Sequence, residues 1–141
     1  MIIILIYCME RLEMADKKKF ELEFIIKTSP KILYPRLSTP DGLAEWFCDD
    51  VDLNQDNFVF NWGGSEEVAK VLSKKTDNHI KFQWEDDQGT DYYFEFKLKP
   101  LPMTGDIALL VTDYSEPDEL EESTNLWESQ IADLKSNLGL A

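Results

Sequence analysis

Leu120-Glu121-Glu122-Ser123-Thr124-Asn125-Leu126-Trp127-Glu128-Ser129-Gln130-Ile131-Ala132-Asp133-Leu134-Lys135-Ser136-Asn137-Leu138 is the stretch that decides the fold. Leu120, Thr124, Trp127, Ile131, Leu134 and Leu138 recur alternately four and three residues apart, which draws one stripe along a helix of 3.6 residues per turn. Asp118, Glu119, Glu121 and Glu122 crowd the entry, where the positive end of the helix dipole favours carboxylates, and Gly139 supplies a stop. A helix with one apolar stripe must bury it against another element.

The chain upstream provides that element. From Asp49 to Tyr114 the apolar period falls to two, and turn residues cut the segment into candidate strands at 51–54, 57–62, 66–73, 79–85, 91–99 and 106–114. Gly63-Gly64, Thr76-Asp77-Asn78 and Asp87-Gln88-Gly89 are the short polar breaks that join antiparallel neighbours. Before them, Lys19–Lys27 alternates so that Phe20, Leu22, Phe24 and Ile26 share the core face of another strand. Thr28-Ser29-Pro30 and Ser38-Thr39-Pro40 each read as a cap followed by proline at the first helical position, and they open two short helices. The fold class predicted is α+β, a curved antiparallel sheet of six to seven strands wrapped around the final helix, with two short helices between the first and second strands.

Charge narrows the functions. Fourteen basic residues against 28 acidic give a net charge of −14, so nucleic acid, whose phosphates demand many cations, is not expected as a partner. The same charge opposes anionic headgroups, and no stretch reaches the roughly 20 apolar residues of a membrane helix, so no membrane insertion is expected. Met1 to Cys8 has the apolarity of a secretory signal without a basic start or a small-residue cleavage site. Met14 heads a polar run directly before the first strand and is a candidate true start, which makes residues 1–18 an extension and 19–141 the domain. On that reading Cys48 is the lone cysteine, which suits a reducing cytoplasm.

The chemistry-bearing residues each have an ordinary structural explanation. His79 falls on the solvent side of its strand with Lys81 and Gln83, and nothing supplies the nucleophile and orienting carboxylate of a triad. Asp50, Asp52, Asn54 and Asp56 imitate a calcium loop, but Gln55 stands where glycine is needed and Asn61 where a bidentate glutamate belongs. Glu85, Asp86 and Asp87 read as an exposed hairpin tip with ordinary acidity. Cys48 lacks a cationic neighbour and sits before Asp49 and Asp50, so it reads as a packed thiol. The expectation is a chain with no catalytic residues, no metal and no cofactor.

Local residues carry a resemblance as well. Leu37-Ser38-Thr39-Pro40-Asp41-Gly42-Leu43-Ala44-Glu45-Trp46-Phe47, Phe82-Gln83-Trp84 and the span Trp127 to Leu134 resemble the helix-grip domains of the START-like (SRPBCC) superfamily, in particular the branch related to the activator of Hsp90 ATPase. The resemblance covers Lys19 to Leu138 and rests on apolar spacing, which speaks to fold more than to function. The hairpin Trp62-Gly63-Gly64-Ser65-Glu66-Glu67 departs from it by being shorter and more acidic.

Aromatic residues and resemblance together point to a hydrophobic cavity between sheet and helix. Trp46, Phe60, Trp62, Phe82, Trp84, Tyr92, Phe94 and Trp127 are the candidate ligand-binding residues, with indole N–H and phenol O–H groups orienting a polar end. The leading expectation is a non-enzymatic module that binds an apolar or amphipathic small molecule. The alternatives are a chaperone-associated, Hsp90-activator-like interaction module meeting a basic partner and, last, a cyclase or hydrolase that would require a buried carboxyl of perturbed acidity in the cleft.

Overall fold

The computed structural model describes residues 16–140, so the proposed start at Met14 and the apolar segment before it lie outside the described residues. Strand β1 (Lys18–Ile26) leads into helices α1 (Pro30–Ser38) and α2 (Pro40–Ala44). Strands β2 (Asp50–Asn54), β3 (Asn57–Trp62), β4 (Ser65–Lys75), β5 (His79–Trp84), β6 (Phe94–Pro100) and β7 (Ile107–Ser115) follow, and helix α3 (Leu120–Asn137) ends the domain. The seven strands form one antiparallel sheet in the order β1-β7-β6-β5-β4-β3-β2, a meander whose first strand returns beside the last.

Alternation decides which side chains face the helix. Cross-strand partners point to the same side of a sheet, and the register aligns Leu22 with Val111, Val111 with Phe96 and Phe96 with Ile80 across four strands. Phe82 aligns with Phe94, and Phe58 with Ala69, which continues the apolar face to β3. In α3, Trp127, Ile131 and Leu134 are buried against it, whereas Leu120 at the start of the predicted stripe is 42% exposed.

The two short helices begin as their prolines predict, with different caps. Thr39 accepts the Gly42 amide on its side chain at 3.0 Å, whereas Ser29 makes no side-chain cap bond. Gly42 is required by close approach, because a Cβ there would lie 2.1 Å from the Pro35 carbonyl oxygen and 2.6 Å from Arg36 Cα. The contact fixes α2 against α1 and aims Trp46 and Phe47 inward, both buried.

Three boundaries differ from the sequence reading. The sixth predicted strand begins at Phe94, leaving Asp91, Tyr92 and Tyr93 outside it, because Thr90 Oγ1 bonds the Asp87 carbonyl and the Tyr92 amide and draws that stretch into a turn. Strand β4 runs on to Lys75 through a register shift between Val71 and Ser73 that leaves Leu72 45% exposed. Glu85–Asp87 forms a 3₁₀ turn in which Glu85 and Asp86 are exposed as expected, whereas Asp87 is only 5% exposed.

Candidate functional site

The concave face is an assembly of aromatic rings gathered around Phe47, which the end of α2 drops between sheet and helix. Phe47 lies parallel to Trp127 at 5.9 Å and meets Phe60 and Trp62 edge-on at 5.4 and 5.6 Å. Phe94 extends the assembly across the sheet, stacked on Phe82 at 4.9 Å and tilted to Trp84 at 4.9 Å. Such pairs contribute about 0.5–1.5 kcal/mol each beyond the area they bury. Of the candidate residues, Trp46, Phe60, Trp62, Phe82, Trp84, Phe94 and Trp127 are joined in this assembly through Phe47 and Phe96.

Tyr92 stands apart from those rings. It is half-buried in the turn before β6, its hydroxyl accepts the Lys17 amide at 3.1 Å, and its ring lies 5.2 Å from that of Tyr114. The polar handles of three of the four tryptophans are already engaged by the protein. Trp46 donates to the Arg36 carbonyl at 2.7 Å, Trp62 to the Phe47 carbonyl at 2.9 Å, and Trp127 to the carboxylate of Asp113 at 2.9 Å.

Asp113 is the residue that the sequence reading missed. It occupies the apolar phase of β7, aligned with Phe20 of β1 and two residues on from Val111, so its side chain lies on the face of the sheet that meets α3. A carboxylate at an inward position of an alternating strand was visible in the sequence as a break in pattern. Burial raises its pKa from 3.8 to about 6, against the opposing pull of the Trp127 indole, the Tyr114 amide bonded at 2.8 Å and the Lys17 ammonium; Asp87 adds to the rise. Ionised, the carboxyl accepts two N–H groups and offers further lone pairs; protonated, it becomes a donor.

Other candidates settle into ordinary places. His79 is half-buried on the convex side, its ring between Ser73 Oγ at 3.2 Å and Asn78 Oδ1 at 2.8 Å. Burial pushes the Cys48 thiol up to about 12 and favours its protonated form. Asp50, Asp52 and Asn54 lie along the extended backbone of β2 rather than around a loop, and among the described residues no group of three His, Cys, Asp or Glu is placed to hold a metal. An open groove of about 350 Å³ beside the assembly is lined by Glu45, Trp46, Asp133, Ser136 and Asn137. No helix of the described residues is long and apolar enough to cross a membrane.

The family model for a START-like superfamily domain matches residues 14–140. The solution structure of BfR322 from Bacteroides fragilis is similar at 36% identity, over 89% of this chain and 93% of that one, with a TM-score of 0.65. The Aha1 dimer from Colwellia psychrerythraea is similar at 20% identity over 84% and 93% of the two chains, with a TM-score of 0.71. CalU16 from Micromonospora echinospora matches at 14% identity over 86% and 76%, with a TM-score of 0.66. The last two show the fold alone. No curated protein matches the sequence.

Proposed function

Since the chain belongs to the START-like superfamily, a fold that mostly binds hydrophobic ligands and in some members catalyses reactions, we propose that it is a binding module. It holds an apolar or amphipathic small molecule between the concave sheet and α3. The observation that carries this reading is Asp113. Asp113 is a half-buried carboxylate bonded to the Trp127 indole at the margin of the aromatic assembly, a place where apolar packing would serve stability as well. A carboxylate on the concave face gives an otherwise featureless apolar site a point that orients a ligand's polar end.

Entry requires α3 to yield, because Trp127 lies over Phe47 and Phe96. The ligand replaces ring contacts that Trp127 gives up, while Trp62, Trp84 and Phe94 remain as the wall. The unbridged thiol of Cys48 suits a reducing cytoplasm as the place of work. Native mass spectrometry of gently purified protein tests the reading. A reproducible non-covalent adduct that vanishes on denaturation supports it, whereas a bare mass from the native host counts against it.

The same residue supports a second reading. A concave-face carboxyl that titrates near 6 is placed to exchange protons with a held molecule at neutral pH, the requirement of an acid or base catalyst. Turnover that Asp113→Asn abolishes without weakening ligand retention would establish catalysis over simple holding. The chaperone-associated alternative rests on fold likeness, which does not transmit function.

A further inference from the structure

Charge is shared unevenly along the strand axis. Lys27 follows β1, Lys31 lies in the first turn of α1, Lys74 and Lys75 end β4, Lys97 lies in the middle of β6 and Lys99 toward its last turn, so these exposed lysines gather toward one rim of the sheet. Asp56, Asp77 and Asp106 are the carboxylates on the three strand-joining turns at that end of the sheet. The opposite rim holds Glu85, Asp86, Asp91, Glu116, Asp118 and Glu119, against exposed Lys18 and Lys19 at the start of β1. A nine-residue strand spans about 30 Å, and the Debye length at physiological salt is about 8 Å, so an approaching surface senses the rim it meets rather than the net charge of −14.

Apolar side chains are exposed on the same rim. Met103, between Pro102 and Thr104 in the β6–β7 turn, is 96% exposed, Ile32 on α1 is 53% exposed and Ile25 near the end of β1 is 43% exposed. A cavity of about 180 Å³ at this rim has apolar walls from Ile25 and Leu140 and two cationic ones from Lys27 and Lys135.

We propose that this lysine rim docks the protein onto an anionic lipid bilayer, with Met103 entering the headgroup layer and the Ile25–Leu140 cavity taking part of one lipid. Composition favours a bilayer over a protein partner. Protein interfaces are enriched in aromatics and arginine and depleted in lysine, whereas lysine with a few aliphatic side chains is the arrangement that meets anionic headgroups. The proposal goes beyond the groove reading, since docking and ligand retention are measured separately.

The test is cosedimentation of the full chain with vesicles of phosphatidylcholine alone and of phosphatidylcholine with phosphatidylglycerol. Pelleting with the anionic vesicles only, relieved by salt, is expected. Each lysine brought to the surface contributes roughly a fivefold change in partitioning, so Lys97→Glu with Lys99→Glu lowers it by at least about tenfold. Met103→Asp weakens the binding that persists at high salt. Glu121→Lys, on the opposite rim, leaves partitioning nearly unchanged, and circular dichroism verifies that each variant folds. Protein that stays in the supernatant, or pellets equally with neutral vesicles, overturns the proposal. So does a rim that binds duplex DNA or polyglutamate through Lys97 and Lys99 while ignoring vesicles.

Discussion

The indole N–H of Trp127 meets the carboxylate of Asp113 at 2.9 Å, a bond that fastens the last helix to the sheet through a charge on the concave face. Its two sides have opposite signs. The ring of Trp127 stabilises the docked helix through its contacts with Phe47 and Phe96, whereas ionised Asp113 opposes docking because burial lifts its pKa to about 6.

Stability should therefore fall as pH rises across the Asp113 titration. The folded-state value exceeds the unfolded one, so the folded protein binds the proton more readily, and the benefit is complete below pH ~4 and lost as pH passes about 6. The rise from 3.8 to about 6 corresponds to ~3 kcal/mol. The difference between wild type and Asp113→Asn isolates the effect. Urea denaturation at pH 8 should show Asp113→Asn more stable by ~1–3 kcal/mol, with the gap closing at pH 4. A variant less stable than wild type at pH 8 would mean that the folded state needs the charge.

Trp127 separates packing from hydrogen bonding. Trp127→Ala removes a buried indole and should cost about 3–5 kcal/mol, while Trp127→Phe keeps most ring contacts, loses the N–H donor and should cost about 1–3 kcal/mol. Equal losses in the two variants would place the strength of the attachment in the hydrogen bond rather than in the stack.

Much of this fold was legible before any coordinates because period is a local property. The four-three spacing from Leu120 to Leu138 and the alternation of Phe58, Phe60 and Trp62 each declare a face without reference to the rest of the chain. The unread part was decided at a distance. Leu120 fits the stripe by spacing but is 42% exposed, and Asp87 looks like a turn residue but is buried. Ring-to-ring packing of the candidate site depends on where α2 delivers Phe47, and spacing along the chain does not specify that. Asp113 was available as an apolar-phase carboxylate, yet its partner Trp127 lies on another element.

Gly42 offers a check on that delivery. Gly42→Ala drives a methyl group into the Pro35 carbonyl and Arg36 Cα, both backbone atoms that move only if α2 lifts from α1. The cost should be at least ~2 kcal/mol, read as a fall in thermal midpoint together with greater exposure of Trp46 in fluorescence. A variant with wild-type stability would show that the helix pair relaxes freely and that its contact does not position Phe47.

Ligand retention should depend on the groove wall more than on charge nearby. Trp84 is 7% exposed, tilted to Phe94 at 4.9 Å and edge-on to Phe60 at 5.5 Å, so Trp84→Ala removes wall without touching the Asp113–Trp127 bond. Lys81, on the convex face of the neighbouring stretch of β5, has its ammonium over the Tyr93 ring at 4.3 Å, and Lys81→Ala is the matched control. Native mass spectrometry should show the adduct of Trp84→Ala reduced well below that of Lys81→Ala, with both variants folded by circular dichroism. Because truncation can also enlarge the space available, Trp84→Phe is the deciding third variant. It keeps an aromatic wall and should retain the adduct, so loss of retention there as complete as in the alanine variant would point to the indole N–H as a ligand contact. Equal retention in Trp84→Ala and Lys81→Ala would exclude the groove as the binding place.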